Sequence, residues 1–146
     1  MSIVKVTSDN VKAWAILCNE LWPHHPSEEF LQAFNDGKYN NEYLYVTDDV
    51  PIAFMSLSLR HDYVEGKEDS NPVGYLEGIY VRPDFRRSGI AEELVDYAKQ
   101  WALEQGCSML ASDCEIDNND SRAFHNKIGF VEESVNVHFS MRLVDQ

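Results

Sequence analysis

The stretch Val81-Arg82-Pro83-Asp84-Phe85-Arg86-Arg87-Ser88-Gly89-Ile90-Ala91 decides how this chain is read. An apolar run ends at Val81. A turn with one proline and three arginines follows, and small residues then open a helix. The first N–H groups of a helix have no partner inside it and lie at the positive end of its dipole. Gly89 allows close approach of the backbone, and Arg86 and Arg87 add two cationic forks to an acidic chain. Arg86, Arg87, Ser88, Gly89, Ile90 and Ala91 together suit a diphosphate. The alternative at this level is an ordinary helix start with two solvated arginines.

Working outward, residues 73–81 form an apolar strand before the turn. Residues 89–104 give the best helix of the chain, with an apolar stripe of Ile90, Leu94, Val95, Ala98 and Trp101 and a charged opposite face. Gly106 ends it, and residues 109–114 read as the next strand. A helix over 118–128 is closed by Gly129, and from Phe130 the alternation of Val135, Val137, Phe139 and Met141 predicts a final strand or hairpin. Towards the N-terminus, residues 2–6 form a strand and 11–21 a helix after the capping oxygens of Ser8, Asp9 and Asn10. Pro23 and Pro26 stop that helix, and Ser27 caps a second one reaching Phe34. Strands over 43–46 and 52–59 make a hairpin around Asp48-Asp49, and residues 60–72 form a long polar loop, a place where function often resides. The order β-α-α-β-β-β-α-β-α-β-β predicts one α+β (mixed α/β) domain over 1–146, with helices on the faces of a mixed sheet.

Composition narrows the partners. The chain has 146 residues, 44% hydrophobic and 25% charged, an ordinary globular balance for one domain. Its 12 basic and 25 acidic residues give a net charge of −13, which repels nucleic acid and anionic membranes and favours a polycationic small molecule or a basic peptide. No apolar run is long enough to span a membrane, and the first residues lack the shape of a signal peptide. The three cysteines, Cys18, Cys107 and Cys114, are odd in number and lack CxxC spacing. They suggest free thiols in a reducing compartment, so a cytoplasmic location is expected. His24 and His25 have no acidic or cysteine partner at ligand spacing, so no metal site is expected.

Two motifs carry a family resemblance. Arg86-Arg87-Ser88-Gly89-Ile90-Ala91 resembles the (Arg/Gln)-x-x-Gly-x-(Gly/Ala) pyrophosphate loop of the GCN5-related N-acetyltransferases (GNAT). Downstream, Asn118-x-x-Ser121-x-x-Phe124-His125-x-x-x-Gly129-Phe130 is similar to that family's Asn-x-x-Ala-x-x-(Leu/Phe)-Tyr-x-x-x-Gly-Phe element. Leu21-Trp22, Tyr63-Val64-x-Gly66, residues 74–81 and Ala111-Ser112-Asp113 look most like the aminoglycoside 6′-N-acetyltransferases. The resemblance implies a GNAT fold: a mostly antiparallel sheet with a central V-shaped splay. It also implies acetyl-CoA as cosubstrate, and direct acetyl transfer to a primary amine of a cationic drug.

Under that resemblance Glu77 is the candidate base, acting through a water. Strict alternation puts Leu76 and Gly78 on one side of its strand and Glu77 and Ile79 on the other. An edge glutamate touching water or a lysine is the alternative. The backbone of Ile79, Tyr80 and Val81 is expected to pair with the pantetheine arm, and an N–H near Ile79 to polarise the thioester carbonyl. Asn118 is expected on the same arm. His125 stands where the family usually has tyrosine as general acid; packing within the helix is its other reading. Asp113 is a natural ammonium acceptor or a solvated loop acid. Trp22 stacks on a sugar or packs at its helix end, and Tyr63 lines the acceptor site. The exposed final strand suggests a homodimer that lends acceptor contacts around 132–138. Acetylation of a polyamine, a protein N-terminus or a lysine competes with the drug reading, as does a non-catalytic CoA-binding regulator.

Overall fold

The computed structural model describes residues 2–61 and 72–145. It divides into two compact units, one reaching Asp113 and one starting at Cys114. The first holds β1 (Ser2–Lys5), α1 (Val11–Leu21), α2 (Ser27–Asn35), β2 (Asn41–Thr47), β3 (Val50–Arg60), β4 (Val73–Val81), α3 (Ile90–Glu104) and β5 (Leu110–Ser112). The second holds α4 (Asn119–Lys127).

The five strands form one sheet in chain order, antiparallel from β1 to β4, with β5 parallel to β4. Asp48 and Asp49 both take positive φ, as a two-residue hairpin loop requires. Alternation assigns the two faces. From β2, Glu42 and Leu44 meet Trp14 of α1, whereas Tyr43 packs against Tyr97 of α3 with the two rings tilted and Tyr45 donates to Glu93 of the same helix at 2.6 Å. Helices therefore cover both faces, as expected.

Two features of β4 position the site. First, β5 pairs only with Gly74, Tyr75 and Leu76, so the outer edge of β4 is left by its neighbour from Glu77 onward. This is the splay. Second, the register with β3 slips: Ser56 faces Gly78 and Leu57 faces Leu76, so Glu77 is an extra, unopposed residue. Such a bulge bends a strand and re-aims a side chain.

Three expectations are corrected. Helix α2 starts at Ser27 with Pro26 in the capping position, and no side chain caps it. The strand before the long loop runs on to Arg60, which is therefore part of the sheet. Residues 130–145 contain no strand. Val137, Phe139, Met141 and Leu143 are 74–91% exposed there, because an alternating pattern becomes a strand only where a backbone partner exists.

Glu42 lies in the core at 2% exposure, accepting from Trp14 Nε1 at 3.0 Å and Ser56 Oγ at 2.7 Å. Burial pushes its carboxyl from 4.5 up to about 8, more strongly than those two bonds pull it down. Between these values the folded chain keeps a proton that the unfolded chain releases, so this residue's stabilising share falls as pH rises through the window. Glu42→Gln stays neutral throughout. Its melting temperature should gain on the wild type as pH rises from about 5 to about 8; parallel melting curves across that range would sink the argument.

Candidate active site

The bulge determines what Glu77 can do. Its carboxylate accepts from Ser58 Oγ at 2.5 Å, from Arg60 Nε at 3.1 Å and from Arg60 Nη2 at 3.0 Å, all on Oε2. Oε1 accepts from Arg60 Nη2 at 2.8 Å. Ser58 alternates with Ser56, whose hydroxyl reaches Glu42 on the α1 face. Glu77 thus shares that face with Gly78, correcting the strict alternation that grouped it with Ile79. A charged group on an apolar strand is tolerated here because it is partly exposed and ion-paired with Arg60.

A cavity of about 560 Å³ opens on this face, lined by Trp22, Tyr39, Glu42, Ser56, Ser58 and Glu77 among others. Trp22 caps α1 and is half-buried. It stacks on Phe30 with centroids 5.9 Å apart, meets Phe54 edge-on at 5.8 Å, and also lines the cavity. The two readings of Trp22 are thus compatible. Asp113, just past β5, accepts from Tyr75 OH at 2.6 Å, and the Arg60 guanidinium lies 3.5 Å above the centre of the Tyr75 ring. Burial, followed by the Asp113 contact, pushes the Tyr75 phenol above its usual value. Ser58, Glu77, Arg60, Tyr75 and Asp113 thus form one connected chain. Sequence reasoning missed Ser58, Arg60 and Tyr75. The signal was the polar stripe Ser56, Ser58, Arg60 at a spacing of two in an otherwise apolar strand.

Beyond Val81 the chain turns through Pro83–Phe85 into α3. Arg86 Nε donates to Val81 O at 2.8 Å, and Ser88 Oγ donates to Phe85 O at 2.6 Å. Gly89 caps α3 with φ of +84°, and a Cβ there would meet nothing within 4 Å. The glycine is required by its left-handed backbone, with open space around it. The first α3 bond runs from Glu93 N–H to Gly89 O, so the N–H groups of Ile90, Ala91 and Glu92 lie outside the ladder. Tyr80 donates its hydroxyl to Glu20 Oε1 at 2.9 Å, and Ile79, Tyr80 and Val81 lie beyond the last β5 pairing.

In the second unit, Asn118 caps α4, its side-chain oxygen accepting from Ser121 N–H at 3.1 Å. His125 is half-buried between Phe124 and Phe130. Its Nδ1 lies 2.7 Å from Ser121 O, and a carbonyl only accepts, so Nδ1 carries the proton. The neutral ring then has Nε2 as an acceptor, and only the imidazolium could donate from it. Glu132 is ion-paired with Arg122 at 2.9 Å. Tyr63 lies outside the described residues.

The family model for the Acetyltransferase (GNAT) family matches residues 6–130. The chain belongs to this family. Among relatives of this GNAT protein, an aminoglycoside N(6′)-acetyltransferase type 1 of Acinetobacter haemolyticus is 39% identical over 146 residues, covering 98% of this chain and 99% of the relative. The corresponding enzyme of Salmonella enteritidis is 38% identical over 139 residues, covering 90% and 92%. The apo crystal structure of aminoglycoside 6′-N-acetyltransferase AAC(6′)-IG from Acinetobacter haemolyticus superposes with a TM-score of 0.88 at 37% identity, covering 99% of this chain and 100% of that one. AAC(6′)-Iy bound to the bisubstrate analogue CoA-S-monomethyl-acetylneamine superposes with a TM-score of 0.86 at 33% identity, covering 97% of each chain. The GNAT sheet, with its splay at β4, is therefore the fold of this chain.

Gly78 is tied to this cavity by its missing side chain. A Cβ there would stand 2.7 Å from Trp22 Cη2 and 2.9 Å from Cζ2. Gly78→Ala should cost about 1–3 kcal/mol in thermal unfolding, and Trp22→Phe in the same chain should recover part of it. Wild-type melting of Gly78→Ala would show that the contact is not tight.

Proposed function

We propose that this protein transfers the acetyl group of acetyl-CoA directly to the 6′-amino group of an aminoglycoside. The observation that carries the reading is the Glu77 carboxylate, set by the bulge where β4 leaves β5 and beside a cavity that Trp22 and Tyr39 also line. The names and coverage of the relatives support the substrate class. So does the net charge of −13, which draws a polycation.

The residues fit acetyl-CoA. The N–H groups at the start of α3, the open Gly89 and the Arg86-Arg87 pair suit its diphosphate. The edge of Ile79, Tyr80 and Val81, beyond the last β5 pairing, suits its amide-bearing arm. Bound there, the cosubstrate supplies an acyl carbon activated as a thioester. Glu77 takes, through a water, the proton that the acceptor's ammonium must lose before its nitrogen attacks. A main-chain N–H near Ile79 holds the carbonyl oxygen as it gains charge. The C–S bond then breaks, and the thiolate takes a proton from solvent or from His125 as imidazolium. Asp113 and Glu77 hold the acceptor's ammonium groups, Trp22 covers a sugar face, and Tyr63, outside the described residues, is assigned to the acceptor on the family resemblance alone. Asn118 assists the cosubstrate arm.

We also place the working enzyme in the cytoplasm as a homodimer. Cys18, Cys107 and Cys114 are free thiols, the last of them exposed, which suits a reducing compartment. The exposed alternating run Val135, Val137, Phe139, Met141 and β5, an edge strand, are both features that a second copy would cover.

Tobramycin incubated with enzyme and acetyl-CoA should gain one acetyl group by mass spectrometry, at the 6′-nitrogen by NMR. Spermidine and lysine peptides should give little thiol release. Acetylation of the peptides with the drug untouched would overturn the substrate class. Glu77→Gln should lower kcat by about 10²- to 10⁴-fold; wild-type turnover at every pH removes Glu77 from the mechanism. Light scattering at micromolar concentration should give twice the chain mass, and a monomer there ends the dimer proposal.

A further inference from the structure

The proton acceptor proposed above does not stand alone. Arg60, at the end of β3, spans both carboxylate oxygens of Glu77 with three donor contacts of 2.8 to 3.1 Å. The same guanidinium lies over the Tyr75 ring, its Cζ 3.5 Å from the centroid, and the Tyr75 hydroxyl donates to Asp113 at 2.6 Å. Arg60 is thus fixed from two directions, by the carboxylate at its edge and by the ring beneath it.

Stability does not account for this arrangement. The pair is 40% and 34% exposed, and ion pairs so exposed contribute about 0–1 kcal/mol. What a planar fork on a ring does supply is direction: it fixes the plane of the carboxylate as well as its distance. The contacts are also uneven. Oε2 accepts from Ser58 and from two nitrogens of Arg60, whereas Oε1 accepts from one nitrogen among the described residues. Oε1 therefore keeps the larger capacity to take a further hydrogen bond. The cavity wall includes Glu77 and Ser58 and does not include Arg60, so the guanidinium supports the carboxylate from outside the acceptor's space.

We propose that Arg60 is the positioning residue for Glu77, holding its carboxylate in the one orientation that leaves Oε1 to receive the proton of the acceptor amine. The inference rests on the acetyl-transfer reading and names a residue that acts through Glu77 without touching substrate. Lysine is not equivalent: an ammonium is a point charge without the rigid planar fork that sets a carboxylate's plane and stacks over a ring.

The test compares steady-state kinetics of wild type, Arg60→Ala and Arg60→Lys with tobramycin and acetyl-CoA, alongside melting temperatures. Wild-type turnover is measured first, and its absence refutes the acetylation reading itself. Given turnover, Arg60→Ala should lower kcat by about 10- to 100-fold, the scale set by a misplaced reacting group, with the KM for acetyl-CoA unchanged. Arg60→Lys should be no better. Millimolar guanidinium or methylguanidinium should restore part of kcat in Arg60→Ala and none in Glu77→Gln. An unchanged kcat overturns the inference. So does a fall in acceptor KM with kcat maintained, which would make Arg60 a competitor for the ammonium position. Loss of kcat in step with melting temperature and without guanidinium rescue overturns it in favour of a purely structural role.

Discussion

From Gly74 to Leu76 the outer edge of β4 is occupied by β5, and from Glu77 onward it is released. An unpaired main-chain edge in the middle of a sheet is costly unless something completes its hydrogen bonds. Here the release coincides with the slip that leaves Glu77 unopposed on β3. Two irregularities therefore meet at one residue. The end of β5 leaves residues 79–81 without a strand neighbour on that edge, where Val81 O accepts from Arg86 Nε, and the slip against β3 turns a carboxylate from the α3 face to the α1 face. Had β4 stayed regular, Glu77 would point with Ile79 towards α3, away from the cavity that Trp22 and Tyr39 line. The short β5, the missing side chain at Gly78 and the polar stripe of β3 are all consequences of keeping that place open.

Charge is distributed with the same economy. In a chain with 12 basic residues against 25 acidic ones, most arginines would be expected to find a carboxylate. Arg60, Arg82 and Arg122 do, on Glu77, Glu20 and Glu132. Arg86 instead donates to the carbonyl of Val81, so no carboxylate among the described residues cancels its charge. It lies three residues before the left-handed cap of a 15-residue helix. The positive potential at that loop is thus the sum of a helix end and an uncancelled guanidinium, in a chain with a net charge of −13. A ligand with phosphates at one end, meeting an acceptor with several ammonium groups, is matched by this polarity in a way that neither would be alone.

The parts of this that were legible in the sequence are those whose physics is local. A glycine at a positive-φ cap, a proline turn and an amphipathic helix are encoded within a few residues, which is why the 81–91 stretch and α3 were placed correctly. Glu77 was recognisable as an expensive residue in an apolar strand, but its direction was not. The bulge is a relation between β3 and β4, and a one-residue slip reverses every side chain beyond it. Arg60 was lost for a related reason. Its charge reads as the start of a loop, and only the neighbouring carboxylate and ring explain why it sits in a strand. Asn118 carries a local role besides its motif: a residue expected to serve the cosubstrate is also the helix cap that its position demands.

The C-terminal run shows what a pattern can and cannot specify. Val135, Val137, Phe139 and Met141 alternate as strictly as any strand in the sheet, yet residues 130–145 carry no ladder. Alternation records which side chains want to leave water; it does not supply the N–H and C=O groups that a strand must bond. Exposures of 67–91% along these four side chains leave more apolar surface in solvent than a soluble monomer ordinarily tolerates in one segment. The segment is short of a backbone partner and of cover for its side chains at once. The homodimer proposed above is one arrangement in which a second copy of this segment would supply both.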